Sequence, residues 1–289
     1  MTVETGNAVG EGYRWCRRLA RSHYENFPVA SRLLPARLRA PVSAIYAFAR
    51  TADDIADEGN DTAVLRLQKL RSMESALLST LQGSPPDEPL YHALSDTFQR
   101  HALPPQPLHD LLHAFRQDVT VNRYASYTDV MNYCRYSANP VGRLLLHLCG
   151  QVSANSFRLS DAICSSLQWI NLLQDISQDY RENNRVYLPA DEMQQFDVSE
   201  EDIAAQNNSP RMRALFDFQI ERTAALLRSG SDLGKNLPGR FGLEVRIIVL
   251  AGTRLLHKLA RQTDVFGRPR LNRADKARIT WSALRRVAV

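Results

Sequence analysis

The sequence predicts an all-α fold, a single-domain helical bundle, and three observations carry that prediction. Apolar residues recur with helical period in almost every segment. Alternating strand patterns bounded by hairpin turns are absent, and proline or glycine punctuates the periodic stretches. The linkers are too short to separate independent halves, so residues 1–289 read as one domain with a basic C-terminal segment, 254–289.

Taken in order, the first helix is expected over 41–57. Pro41 suits a first helical position, and Val42, Ile45, Tyr46 and Ala49 repeat along one face. The next spans 63–82 with Val64, Leu67, Leu70, Leu77, Leu78 and Leu81, and stops at Gly83 and the proline-rich 84–89. Further helices are expected over 90–101, 107–121, 127–149, 160–181, 199–206, 211–233 and 241–262. No fixed-period repeat and no low-complexity tract interrupts them.

Composition excludes several classes. Hydrophobic residues at 44% and charged residues at 23% are globular values, which rules out disorder and fibres. Mean hydropathy is −0.33, and no run of about 20 apolar residues exists to cross a bilayer. The first residues carry acids and glycines where a secretory signal needs a basic flank and an apolar run. The four cysteines are scattered without a CxxC pair, so a reduced, cytoplasmic setting is expected.

Charge is unevenly placed. Lys and Arg total 36 against 31 Asp and Glu, a net +5, yet residues 254–289 alone carry +8. Such an end attracts anionic surfaces, and a peripheral contact at the inner face of the membrane is left open beside a plain solvated helix face. Aromatic residues do not interleave with the basic ones as a nucleic-acid platform requires, so no nucleic-acid partner is expected. His109 and His113 have zinc-like spacing but lack the glutamate of a metalloprotease motif and a third ligand, which points to a structural role.

Two acidic segments carry chemistry. The stripe Val42, Ile45, Tyr46, Ala49 continues to Asp53 and Asp57, with Asp54 between them and Arg50 just before. Two carboxylates on the extension of a buried face repel one another and are costly to desolvate, and a hard divalent cation removes both problems. In the second segment Asn171, Asp175 and Asp179 fall at i, i+4 and i+8, flanked by Gln174 and Gln178. Trp169, Leu172, Leu173, Ile176 and Tyr180 take the opposite side. A solvated face of that length would mix in lysine or arginine, and none occurs before Arg181. Two such stripes suggest walls that clamp a metal–diphosphate cluster.

The motifs resemble the squalene and phytoene synthase family of head-to-head isoprenyl diphosphate synthases, over about His23 to Leu250. The resemblance is carried by His23 to Phe27 with Leu33-Leu34-Pro35, by Ala44 to Asp57, and by Tyr133-Cys134 with Val141-Gly142. Asn171 to Asp179 with Asn184-Arg185-Val186-Tyr187-Leu188-Pro189 completes it. The resemblance implies an isoprenoid synthase bundle around a deep, apolar central cavity. It implies that Asp53, Asp57, Asn171, Asp175 and Asp179 hold Mg²⁺ against the diphosphate, with Asp54 and Tyr133 in support. It further implies that His23, Arg50, Tyr46, Gly142, Gln174 and Arg185 bind or orient the substrate, a long-chain isoprenoid diphosphate. Ionising such a diphosphate needs its leaving charge neutralised, and the cation then needs a dry wall.

Departures from the family pattern refine the expectation. Ser137, Ala138 and Asn139 stand where many relatives carry an apolar run, Gln174 where many place an arginine, and Ile248 where some carry a tyrosine. The string from Ser137 to Gly142 resembles the hopanoid-pathway branch, the hydroxysqualene synthases, which convert presqualene diphosphate and water to hydroxysqualene and diphosphate. That reading makes the chain a carbon–oxygen lyase with Ser137 and Asn139 holding the water, and it expects Mg²⁺ but no NADPH. The other reading of these two residues is a local cap around Pro140. Two alternatives stay open: a complete synthase (farnesyl transferase) that joins two farnesyl diphosphates, and a non-catalytic assembly protein with pathway enzymes as partners. The intact carboxylates count against the latter.

Overall fold

In the computed structural model, which describes residues 2–22 and 33–285, the elements in chain order are α1 (Thr2–Ser22), α2 (Ala36–Asp57), α3 (Ala63–Leu81), α4 (Pro89–His101), α5 (Gln106–Thr120), α6 (Tyr127–Ser137) and α7 (Asn139–Leu148). They continue with α8 (Ala154–Asn183), α9 (Ala190–Gln195), α10 (Glu200–Ala204), α11 (Pro210–Gly230), α12 (Leu233–Asn236), α13 (Gly239–Arg261) and α14 (Arg273–Arg285). Among the described residues the one β feature is an isolated parallel bridge between Arg123 and Val186. The expected all-α class is therefore borne out. His23, with Tyr24 to Phe27, lies outside the described residues.

Several boundaries move for identifiable reasons. α2 begins five residues before Pro41, because Leu38, 2% exposed, anchors an extra turn and Pro41 packs inside the helix. The single helix expected over 127–149 is two. Pro140 has no N–H to continue the ladder, and the chain breaks at Ala138 between α6 and α7. α8 extends to 30 residues, about 45 Å long. Helices α1, α9, α12 and α14 were not expected from periodicity.

The chain forms two compact units. One takes residues 1–120 and 140–153, the other 121–139 and 154–289. In the first, α2 packs on α1, α3, α4 and α5, with Ala44, Ala47, Phe48 and Ala52 fully buried. α1 lies along α4, where Gly12 permits the approach: a Cβ there would stand 2.4 Å from the Pro89 carbonyl oxygen. Beside it the Tyr13 hydroxyl donates to Asp96 Oδ2 at 2.8 Å. Gly12→Ala is expected to cost about 1–3 kcal/mol by overpacking, read as a lower melting temperature in calorimetry. In the second unit α11 and α13 pack on α8 around Trp169, Leu215, Phe216 and Leu255. All four cysteines are free, and burial pushes the Cys134 thiol up to about 12.

Candidate functional site

The first acidic motif closes α2 in the first unit. One helical turn separates Arg50 from Asp53 and Asp54, so its guanidinium reaches both: Nη1 lies 3.2 Å from Asp53 Oδ2 and Nη2 lies 2.6 Å from Asp54 Oδ1. Glu58, just past the helix end, joins at 2.5 Å from Nη2. One arginine thus faces three carboxylates, and Asp57 adds a further negative charge a turn beyond Asp53. Asp53 is pushed up to about 7, first by desolvation and then by Asp57; Arg50 offsets only part of this, and Asp118 and Asp54 add to the rise. Asp118 belongs to α5 and is 6% exposed. Tyr46 is half-buried on the same helix, and Gly142 is buried on α7.

The raised Asp53 carboxyl has a measurable consequence. A carboxyl whose folded-state pKa exceeds its unfolded value favours folding while protonated, so its contribution is full below about pH 4 and lost as pH rises through about 7. Without divalent metal, Asp53→Asn is expected to melt above the wild type at about pH 8 and level with it near pH 4. Calorimetry across that range is the check, and equal melting throughout would contradict it.

The second motif occupies the C-terminal half of α8 in the second unit. Asn171, Asp175 and Asp179 are each partly exposed, while Gln174 is 5% exposed and Ser177 is 8% exposed. The flank of the stripe is therefore packed rather than solvated. A loop after α13 covers it. The Gln174 amide donates to the Pro269 carbonyl at 2.6 Å. Arg268 Nε stands 2.5 Å from Asp175 Oδ1, its Nη2 donates to Asp175 Oδ2 at 2.9 Å, and its Nη1 donates to Gln178 Oε1 at 3.1 Å. Asp175 nevertheless lies above the usual carboxylate range, because desolvation outweighs Arg268 and Arg270.

Arg185 reaches Asp179 through the way α8 ends. Asn184 takes a left-handed φ of 50°, its N–H donates to the Tyr180 carbonyl, and the Arg185 N–H donates to the Asp179 carbonyl at 3.0 Å. This left-handed cap, with its 5→1 bond from Asn184, turns the chain back at the helix end. Arg185, 6% exposed, and Asp179 then line one small cavity with Trp169, Leu173, Tyr187 and Ile203. Tyr133 packs against both Tyr124 and Tyr187, with ring centroids 5.8 and 5.4 Å away, and those two stack on each other at 5.4 Å.

At the break between α6 and α7 the two polar residues diverge. Asn139 is 7% exposed, and its Oδ1 accepts from the Ser165 hydroxyl of α8 at 2.9 Å. The Ser137 Oγ is buried and has no hydrogen-bond partner among the described residues. His109, by contrast, sits 3.5 Å from Glu74 in an ion-pair cluster with Arg116, which matches the structural role expected of it. Arg268, Glu58 and Asp118 were not anticipated. Glu58 follows the first motif directly and was within reach of the spacing argument, whereas Asp118 and Arg268 come from remote segments. Among the described residues no three His, Cys, Asp or Glu side chains already converge on a common metal position. Mg²⁺ is commonly held by one or two carboxylates together with substrate phosphates, so a ready-made protein cage is not required.

In this all-α fold carboxylates sit one turn apart on α2 and on α8, and arginines hold them, Arg50 from α2 itself and Arg268 from the loop after α13, a pairing of charges suited to an anionic ligand. The squalene/phytoene synthase family model matches residues 20–285, and the chain belongs to that family. It is 41% identical to the hydroxysqualene synthase of Rhodopseudomonas palustris over 81% of this chain and 79% of that one. It is 37% identical to that of Zymomonas mobilis over 90% and 86% of the two chains. The crystal structure of squalene synthase HpnC from Alicyclobacillus acidocaldarius superposes with a TM-score of 0.81 at 35% identity, covering 89% of this chain and 98% of that one. Enzymes of this family act on isoprenoid diphosphates and generally employ a divalent metal.

Proposed function

We propose that this chain is a hydroxysqualene synthase, a carbon–oxygen lyase of squalene and hopanoid biosynthesis that converts presqualene diphosphate and water to hydroxysqualene and diphosphate. The observation that carries this reading is the agreement of three relatives named hydroxysqualene synthase, 36–41% identical over 81–90% of the chain. A cytoplasmic setting, with the cysteines reduced, belongs to the same reading.

Asp53, Asp57, Asn171, Asp175 and Asp179 are the side chains that would hold Mg²⁺. All are oxygen donors suited to a hard cation, and the Asp53 carboxyl, pushed up to about 7 by burial and by Asp57, would be favoured in its ionised form by a bound cation. Mg²⁺ supplies charge that stabilises the departing diphosphate. The chain's own groups do the rest. Arg50, Arg185 and His23 add positive charge for the leaving group, and the carbon–oxygen bond breaks with its electron pair on the diphosphate oxygen. Buried apolar side chains keep stray solvent from the cation. Ser137 Oγ, with a lone pair and a proton unspent, holds the one water that adds, and that water's second proton is released.

Presqualene diphosphate incubated with Mg²⁺ in ¹⁸O-labelled water should give a labelled alcohol, and NADPH should change neither rate nor product. Ser137→Ala should divert product from alcohol toward elimination while diphosphate release continues. Formation of squalene only when NADPH is present would replace this reading with that of a reductive synthase.

A further inference from the structure

The C-terminal helix α14 has one face committed and one face open. Asp275, Ile279 and Ala283 form the committed stripe against α13. Asp275 is 2% exposed, with Arg254 Nε 2.7 Å away and Lys258 Nζ 2.9 Å away, and it closes a reciprocal cap with Asn272. Of the basic residues in this segment, Arg254 and Lys258 are spent on Asp275, and Arg268 on Asp175.

The opposite face is apolar along its centre and basic along its edges. Ala274, Ala277, Trp281 and Leu284 fall at i, i+3, i+7 and i+10, one helical stripe. Trp281 is 57% exposed and Leu284 is 60% exposed. Arg273, Lys276, Arg278 and Arg285 flank them, all exposed, and none pairs with a carboxylate among the described residues. Arg285 instead stacks over the Trp281 ring at 3.9 Å. A tryptophan beside a leucine in water, bordered by uncompensated cations, is the composition of a helix that lies in a lipid interface. A second copy of this face is disfavoured as occupant, since pairing would bring eight like charges together, four from each copy. No helix among the described residues is long and apolar enough to cross a membrane, so the fitting geometry is in-plane.

We infer that α14 docks the protein on an anionic lipid surface, with Trp281 and Leu284 at the boundary between head groups and acyl chains and the four flanking cations on lipid phosphates. This inference stands on α14 alone and is independent of the reaction proposed above.

The test is co-sedimentation of the full chain, without substrate, with phosphatidylcholine vesicles that contain or lack phosphatidylglycerol. The wild type should pellet with the anionic vesicles at low salt and be released at about 0.5 M salt. Each Arg→Gln or Lys→Gln change among the four should weaken partitioning about fivefold. The paired change Trp281→Ala and Leu284→Ala should weaken it at least about tenfold with unaltered melting, as both side chains are exposed. Trp281 fluorescence should shift to the blue on vesicle binding. Equal pelleting with neutral and anionic vesicles, or undiminished binding by the paired variant, would overturn the inference. Concentration-dependent self-association that is lost in the paired variant, without vesicle binding, would assign the face to contacts between copies.

Discussion

Asp53→Ala and Asp175→Ala are each expected to lose at least about 10²-fold in kcat, the scale of removing one charge-stabilising group from a reaction that expels a diphosphate. The expectation rests on two different local settings. Asp53 sits with Asp54 and Glu58 around one guanidinium, and its removal leaves Arg50 still paired. Asp175 is held by Arg268, and its removal frees a loop arginine that is already 44% exposed. Neither change strands a buried charge, so both variants should melt cooperatively and keep their helical signal. A loss of activity with an intact fold is therefore the expected pair of results. Turnover at the wild-type rate in either variant, or full activity in excess chelator, would remove the metal–diphosphate reading of these motifs.

The largest effect on stability is expected at Glu192. This carboxylate, 8% exposed on α9, accepts from Arg222 through Oε1 at 2.5 Å and Oε2 at 2.9 Å, and from the fully buried Gln219 at 2.6 Å. Arg222 is sandwiched as well, 3.5 Å from the Tyr127 ring centroid and 5.1 Å from that of Phe218. Glu192→Ala removes the charged acceptor of both groups and leaves the guanidinium only Gln219 Oε1, 2.6 Å from Nη2, a loss of about 3 kcal/mol or more. In a chain of this size that lowers the melting point by roughly 6 °C. Glu192→Gln keeps an acceptor and should fall between the two. A shift under about 2 °C in Glu192→Ala would show that solvent at the partly exposed Arg222 already carries most of the charge.

What the sequence reveals here follows the distance along the chain over which each interaction acts. The acidic stripes are legible because helical spacing alone aligns Asp53 with Asp57 and Asn171 with Asp175 and Asp179. Gln174 reads as a substrate-orienting residue beside the stripe, and its packing against Pro269 is hidden because that partner stands 95 residues away. Arg268 is hidden for the same reason. α1 escapes notice since Gly10 and Gly12 depress helix propensity, although Gly12 is the residue that lets α4 come close. The break before Pro140 was marked in the sequence by the proline itself, and the strong apolar period on both sides of it concealed the interruption. Short α9 and α12 have too few turns to show a period at all.

The interleaving of the two units carries a consequence for biosynthesis. Residues 121–139 belong to the second unit but leave the ribosome before α7, which completes the first. α6 packs on α8, and α8 has not yet left the ribosome when α6 emerges. During translation, then, α6 and its aromatic side chains wait as a tether between a growing first unit and a second that has no partner helices yet. Tyr133 in particular, with Tyr124 at hand, lacks its second ring partner until Tyr187 arrives. The interval in which this chain most needs protection from aggregation is thus set by the time taken to translate from α6 through α8 to Tyr187.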